Sequence, residues 1–131
     1  MRLKQMAAGP VCRVLAAAAN DGRCELQDFL EEIGRDDPAA RAKMAAFLER
    51  AADRGPPRNP EQFRPLKGSD GVFEFKPKPY RIFCFFDGRQ IIVCTHAFKK
   101  KTNIRGDIQN AERLKTEYFE AKETGNIRVE E

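Results

Sequence analysis

The sequence predicts an α+β protein in which an N-terminal helical hairpin packs on a sheet and a further helix closes the chain. Apolar residues recur with helical spacing over residues 26–55 and again over 103–122. Between them, residues 72–98 contain short runs rich in β-branched and aromatic side chains, which favour strands. With 41% hydrophobic and 34% charged residues, the composition is that of a soluble globular protein.

The length of 131 residues suits one domain, which we expect to span residues 11–124. Residues 1–10 are expected to form a loose leader and residues 125–131 a frayed tail. The basic start and the alanine-rich stretch faintly resemble a signal peptide, but Pro10 and Arg13 interrupt the apolar region. No apolar run approaches the roughly 20 residues that a membrane span needs. A cytoplasmic location with no membrane partner is therefore expected.

The first half of the chain predicts one strand and two helices. Residues 11–19 are apolar enough for a strand, and a turn signal follows. Each helix carries an apolar stripe at i, i+3, i+4 and i+7: Leu26, Phe29, Leu30 and Ile33 in the first, and Met44, Phe47, Leu48 and Ala51 in the second. Gly34 and Gly55 are suited to end the helices, and Asp36 or Asp37 to cap the second.

After a loop at 56–71, residues 72–76, 80–86 and 90–98 predict three strands. A final helix follows, with an apolar stripe formed by Ile108, Ala111, Leu114 and Tyr118.

The Asp-Gly pair at 87–88 is a strong signal for a two-residue hairpin. In that register Phe86 faces Arg89, and Arg81 lies on the same sheet face as His96, the only histidine. The same face is then expected to carry Phe83, Phe85, Ile92 and Cys94.

Several kinds of chemistry are excluded or disfavoured. The chain has no nucleotide-binding phosphate loop, no dinucleotide-binding glycine motif, no nucleophile elbow and no HExxH metalloprotease motif. One histidine and four cysteines without a C-x-x-C pair do not form a usual zinc site, so neither a metal nor a cofactor is expected. The cysteines are predicted to be reduced thiols packed as small apolar groups.

Positive charge is concentrated in one segment. Residues 1–57 carry nine basic and nine acidic groups, whereas residues 76–105 carry eight basic groups against one acidic group, a net charge of +7. Such a field favours anionic partners, of which nucleic acid is the commonest. Lys99–Lys101 form part of it, either as a solvated loop or as contacts to a phosphate backbone.

RNA cleavage without a metal needs little more than such a surface. A base takes the proton of a 2′-hydroxyl, cations stabilise the phosphorane-like transition state, and an acid protonates the departing 5′-oxygen. Arg81, in an otherwise apolar strand, needs a protein partner or an anionic ligand. His96 suits proton transfer or a structural role, and Tyr118 most simply packs the last helix on the sheet.

The order and spacing of short motifs carry a family resemblance. The matching pieces are Leu66-Lys67-Gly68, Phe73-Glu74-Phe75-Lys76, Tyr80-Arg81-Ile82-Phe83, Asp87-Gly88, His96-Ala97-Phe98-Lys99-Lys100, Thr102, Asp107-Ile108 and Ala111. In these motifs the sequence resembles the phage-derived HigB-like toxins of the RelE/ParE superfamily, and the resemblance covers about residues 11–120. Lys76 departs from the family's arginine, which keeps the charge but loses bidentate phosphate geometry.

The resemblance implies a RelE-like fold, with the helical hairpin on a small, twisted, mainly antiparallel sheet. It implies the toxin of a type II toxin-antitoxin system that cuts mRNA on the ribosome and pairs with a helix-turn-helix, HigA-like antitoxin. A gyrase-directed or antitoxin-binding protein without nuclease chemistry and an inactive prophage remnant remain alternatives. The roles that the resemblance implies are catalysis for Arg81, His96 and Lys76, RNA or phosphate binding for Lys99, Lys100, Lys101, Arg105 and Lys67, and a possible contribution from Tyr118.

Overall fold

A single seven-stranded sheet with helices on both faces forms the framework of the protein, described by a computed structural model of residues 1–131. In chain order the elements are β1 (Arg2–Ala8), β2 (Arg13–Ala18), α1 (Glu25–Asp36), α2 (Pro38–Arg54), β3 (Phe63–Pro65), β4 (Phe73–Phe75), β5 (Tyr80–Asp87), β6 (Ile91–Lys99), α3 (Arg105–Glu123) and β7 (Arg128–Glu130). The strand order is β3-β4-β5-β6-β2-β1-β7, and only the β2–β6 and β1–β7 pairs are parallel. The α+β class and the mainly antiparallel sheet are confirmed.

The helical hairpin is not N-terminal, because two strands precede it. The strand predicted at residues 11–19 is confirmed as β2, but the residues expected to form a loose leader are β1, which pairs with β2 over most of its length. Leu3 explains why β1 is ordered: its side chain is fully buried against the underside of α3. Polar and apolar residues do not alternate regularly along this strand, so its sequence alone does not reveal it.

Both helices of the predicted hairpin and the final helix are confirmed, with one wrong boundary. Gly34 does not end α1, which continues to Asp36. Asp37 caps α2 as expected: its carboxylate accepts a hydrogen bond from the Ala40 amide at 3.0 Å, satisfying one of the free amides of the first turn. Gly55 follows the last helical residue with φ of 85°, a conformation that favours glycine.

The predicted register of the β5–β6 hairpin is wrong. The connection has three residues rather than two, and Asp87 pairs with Ile91. A bulge then inserts Thr95, so that Cys84 faces Cys94 while Phe83 faces His96. Because of the longer loop, Ile92 and Cys94 lie on the opposite face from the one predicted and pack with Ile82 and Cys84. The bulge returns His96 to the face of Phe83 and Arg81. The prediction that Arg81 and His96 share a sheet face is therefore confirmed, although the strand register differs from the predicted one.

The two sides of the sheet have separate cores. Toward α1 and α2, a cluster of 16 buried residues includes Phe75, Ile82 and Ile92 together with all four cysteines. The thiols are free and buried, as predicted, and burial raises the pKa of Cys84 and of Cys94. Toward α3, one cluster centres on Phe85 and Tyr118 and another on Phe83 and Ala111. The helix α3 thus covers the middle of the second face and leaves the β3 end of the sheet outside it.

The last residues, expected to be a frayed tail, form β7, which pairs with β1 through Arg2, Leu3 and Lys4. Deleting residues 125–131 should lower the free energy of unfolding by about 1–2 kcal/mol, because the partly buried Val129 leaves the core beside Leu3. Urea denaturation measures this difference. Deleting only Glu131, which is exposed, serves as the control, and equal stabilities for the two truncations would mean that β7 contributes nothing.

Candidate functional site

Four residues form a row across the β3 end of the sheet, on the face that α3 partly covers. The register places Arg64 opposite Glu74, Glu74 opposite Phe83, and Phe83 opposite His96. Arg81 belongs to the next row, opposite Phe98. Cationic groups therefore cluster at the β3 end, whereas the histidine lies toward the centre of the sheet.

Arg81 has a protein partner. Its residue surface is 6% exposed, and its Nε lies 3.8 Å from Oε2 of Glu74, which is 3% exposed. Its Nη1 also donates a hydrogen bond to the Tyr80 carbonyl at 2.9 Å. Of the two possibilities left by the sequence, a partner or an anionic ligand, the structure shows the partner. The guanidinium has further donors, but only 8% of the side chain is exposed.

Glu74 binds a second arginine more closely. Nε of Arg64 donates to Oε1 of Glu74 at 2.8 Å, although the Arg64 side chain is 51% exposed. Sequence reasoning missed both residues, because it assigned Arg64 to a loop and had no partner strand for Glu74. The signal that could have found them is a carboxylate between two phenylalanines in a strand, since a charge placed there needs a cation.

Lys76 completes the group, here called the basic cluster: Arg64, Lys76 and Arg81 around Glu74. Its side chain is half-buried, and its pKa is lowered first by burial and then by the charges of Arg64 and Arg81, against the opposing effect of Glu74. Three cations surround the carboxylate of Glu74, and the nearby carboxylate of Glu61 is paired with Lys78, so these six groups carry a net charge of +2. This arrangement attracts an anion, and it makes Lys76 easier to deprotonate than an ordinary lysine.

His96 points into the interface with α3. It is 7% exposed, its Nε2 lies 3.0 Å from Oδ1 of Asp107, and its Nδ1 lies 2.9 Å from the Thr95 hydroxyl. The amide of Asn110 approaches Nδ1 at 3.5 Å. The bulge at Thr95 makes this geometry possible, because it brings two successive side chains to one face. Both ring nitrogens are therefore engaged within the protein, away from the basic cluster.

The rings of Phe83, Phe98 and His96 form an aromatic group on the sheet face that also carries Arg81. The ring centroids of the two phenylalanines are 5.0 Å apart, and those of His96 and Phe98 are 5.6 Å apart. Arg81 is a diagonal neighbour of His96 across the strand pair, a position that corresponds to about 7–8 Å between Cα atoms. The structure thus brings Arg81 and His96 near each other without bringing them into contact.

Comparison with known proteins gives the family at this point. Residues 31–118 match the family described as phage-derived protein Gp49-like (DUF891). The chain belongs to this Gp49-like family. It is also 35% identical over 106 residues to an uncharacterized protein of Aquifex aeolicus (strain VF5), an alignment that covers 72% of this chain and 77% of that protein. The matched region of the Gp49-like chain contains every residue of the basic cluster, together with His96.

The three consecutive lysines of the Gp49-like chain differ in their surroundings. Lys101 is held: its ammonium lies 2.9 Å from Oδ2 of Asp107 and 4.9 Å from the centroid of the Phe98 ring. Lys99, at the end of β6, and Lys100 are exposed and form no ion pair. The Asp107 carboxylate therefore links Lys101 to His96, whereas the ammonium groups of Lys99 and Lys100 are exposed to solvent.

Arg105 and Lys67 are exposed residues on two adjacent segments. Arg105 is the first residue of α3, and Lys67 precedes Gly68 in the loop between β3 and β4. A shallow cavity of about 390 Å³ lies between the segments and is lined by Gly68 and Arg105. The structure thus places Arg105 at this cavity, whereas Lys67 only neighbours its lining residue Gly68 in the sequence.

Tyr118 lies at the other end of the sheet. It packs against Phe85, and its hydroxyl donates to Oδ2 of Asp87 at 2.6 Å. Asp87 lies six positions along β5 from Arg81, which corresponds to about 20 Å along the strand. Burial and the hydrogen bond to Asp87 raise the pKa of Tyr118. Tyr118 is therefore outside the basic cluster and fixes α3 to the sheet.

Replacing Tyr118 with phenylalanine should lower the free energy of unfolding by about 1 kcal/mol at neutral pH, the usual net value of one hydrogen bond. Since the folded-state pKa of Tyr118 is raised, its contribution is complete below the ordinary tyrosine pKa of about 10 and is lost as the pH rises through the folded value. The wild type should therefore lose stability above about pH 10 more steeply than Y118F. Denaturant unfolding between pH 7 and 11 measures both slopes, and parallel curves would contradict the assignment.

None of the three helices combines the length and the apolar character that a membrane span requires.

Proposed function

We propose that this Gp49-like protein is the toxin of a type II toxin-antitoxin system and inhibits translation by cutting ribosome-bound mRNA. The observation that carries the proposal is the basic cluster, where three cations surround one buried carboxylate. An arginine within a strand (Arg81), a lysine directly after the preceding strand (Lys76) and lysines at and after the end of the next strand are also the positions that the HigB-like resemblance implies. The family membership supports the phage-derived origin.

The chemistry proposed is metal-independent attack of a 2′-hydroxyl on the adjacent phosphate. The 2′-oxygen loses its proton and bonds to phosphorus, the bond from phosphorus to the 5′-oxygen breaks, and the departing oxygen takes up a proton from solvent. Guanidinium and ammonium donors stabilise the negative charge that accumulates on the phosphoryl oxygens. The products are a 2′,3′-cyclic phosphate and a 5′-hydroxyl end.

We assign phosphate binding to Arg81 and proton acceptance to Lys76. Arg81 offers a planar set of donors fixed by Glu74, and Lys76 has a lowered pKa, which increases the fraction of free amine. The exposed lysines Lys99 and Lys100 would hold the RNA backbone. Lys67, Lys101 and Arg105 extend this basic surface across the β3–β4 loop and the start of α3.

We assign to His96 a positioning role rather than proton transfer. Its two ring nitrogens contact Thr95 and Asp107, and Asp107 in turn holds Lys101. The histidine thus joins β6 to α3 and fixes the ammonium of Lys101 on the rim of the surface.

The proposed partners are mRNA on the ribosome and a helix-turn-helix antitoxin. An antitoxin that neutralises the protein would cover the basic cluster with acidic side chains, because three cations facing one carboxylate attract negative charge.

One observation favours a second candidate, a non-catalytic inhibitor directed at gyrase or binding only its antitoxin. Arg81 is already paired with Glu74, and His96 is occupied, so the surface is better equipped to bind than to transfer protons.

Two assays with the purified full chain separate the candidates. Ribosomes programmed with a defined mRNA should yield discrete fragments when the protein is added, and free gyrase should supercoil plasmid DNA at an unchanged rate. Loss of supercoiling with intact mRNA would favour the gyrase-directed inhibitor. No effect in either assay would leave an antitoxin-binding protein or an inactive prophage remnant.

A further inference from the structure

Arg64 is the exposed member of the basic cluster. Only its Nε is engaged, at 2.8 Å from Glu74, and half of its side chain surface is open to solvent. The bond to Nε fixes the plane of the guanidinium and leaves both terminal nitrogens free. Those two nitrogens form the edge that binds a phosphate through two parallel hydrogen bonds.

Arg81 presents much less to a ligand. It is almost fully buried, and Nη1 is used by the Tyr80 carbonyl. Lys76 supplies charge, but an ammonium does not provide the planar pair of donors that recognises phosphate in two-point fashion. A guanidinium from β3, placed beside Lys76 by Glu74, adds an exposed planar pair of donors to the buried and partly engaged donors of Arg81.

Glu74 is the group that makes this arrangement possible. A buried carboxylate is costly unless it is paired, and here it is shared between an exposed and a buried arginine on opposite neighbouring strands. The shared carboxylate sets the distance between the two guanidinium groups and keeps both on the face that carries Phe83.

We propose that Arg64 contacts the scissile phosphate and that Glu74 is the positioning residue that orients it. This inference rests on the proposed endonuclease function and extends it to a residue on β3. Arg64 carries the two-point phosphate contact, Arg81 supports it from beneath, and Glu74 touches no substrate.

The test compares R64A, R64K and a matched control, R50A, which removes an exposed arginine of α2 from the opposite side of the sheet. Binding of a fluorescein-labelled single-stranded RNA is measured over a series of salt concentrations, and cleavage is measured on programmed ribosomes. R64A should reduce the slope of log affinity against log salt by about 0.7, the value for one phosphate contact to a single strand. Its cleavage rate should fall about 10-fold to 100-fold.

R64K should recover most of the salt slope but not the cleavage rate, because charge returns without the planar pair of donors. R50A should match the wild type. If R64A and R50A behave alike while the wild type binds and cuts RNA, the role proposed for Arg64 is wrong and the proposed function stands. A wild type that neither binds nor cuts RNA overturns both.

Two Glu74 variants test positioning. E74Q removes the negative charge and should therefore bind RNA at least as tightly as the wild type while cutting it about tenfold more slowly, because Arg64 is no longer held. It should also shift the rise of cleavage rate with pH to lower pH, since Glu74 raises the pKa of Lys76. E74D, which keeps the charge, provides the second measurement if E74Q is poorly folded. Equal losses of binding and cleavage in both variants would contradict positioning.

Discussion

Replacing Arg81 with alanine is expected to abolish mRNA cleavage. The substitution removes the guanidinium from the centre of the basic cluster and takes one of the two cations from the buried carboxylate of Glu74. A lost donor to the transition state costs about 10²-fold to 10³-fold in rate. Fragment yield from programmed ribosomes measures the effect.

Stability must be measured beside activity, because breaking a buried ion pair costs about 3–5 kcal/mol. Arg64 remains bonded to Glu74 in R81A, which should keep the cost at or below the lower end of that range. R81K is the matched variant, since it keeps the charge and loses the planar donors. Cleavage by R81K at the wild-type rate would show that Arg81 acts only through its charge, and cleavage by folded R81A would remove it from the site.

Replacing His96 with glutamine is expected to destabilise the protein more than it slows cleavage. Glutamine can keep only part of the bonding to Thr95 and Asp107, so the free energy of unfolding should fall by about 1–3 kcal/mol. The cleavage rate at saturating RNA should stay within about tenfold of the wild type, since a positioning group contributes less than a reacting one. Urea denaturation and single-turnover cleavage measure the two effects.

D107N is the companion variant, because it weakens the same link from the opposite side and releases Lys101. If His96 and Asp107 act as one unit, the double variant H96Q/D107N should be less destabilised than the sum of the single changes. The opposite pattern, a loss of cleavage by more than about 10³-fold in H96Q with unchanged stability, would assign proton transfer to His96.

The local patterns that predicted the fold were burial patterns and signals of helix ends. The stripes of α1 and α2 follow from burial of one helix face, the strand at Arg13–Ala18 is a run of consecutive buried apolar residues, and Asp37 and Gly55 mark helix ends. The terminal strands did not follow, because β1 and β7 depend on pairing with each other and on burial of Leu3 under α3. Pairing between residues from the two ends of the chain leaves no local period to detect.

The candidate site was predictable only in part, because the sequence does not reveal how its strands pair. Arg81 was recognised because an arginine in an apolar strand needs a partner, but its partner Glu74 lies on a different strand whose register the sequence did not reveal. Arg64 was missed for the same reason. His96 lies on the predicted face because two departures from the predicted register compensate for each other: a longer hairpin loop and a bulge at Thr95. Neither leaves a local signature, since both depend on how β6 packs under α3.

The most direct test of the proposed function is a map of mRNA 5′ ends in cells that express the wild type or R81A from the same inducible promoter. The endonuclease proposal predicts new 5′ ends at fixed positions within codons soon after induction of the wild type, and their absence with R81A produced at the same level. Growth arrest by the wild type without new 5′ ends, or identical ends with R81A, would contradict it.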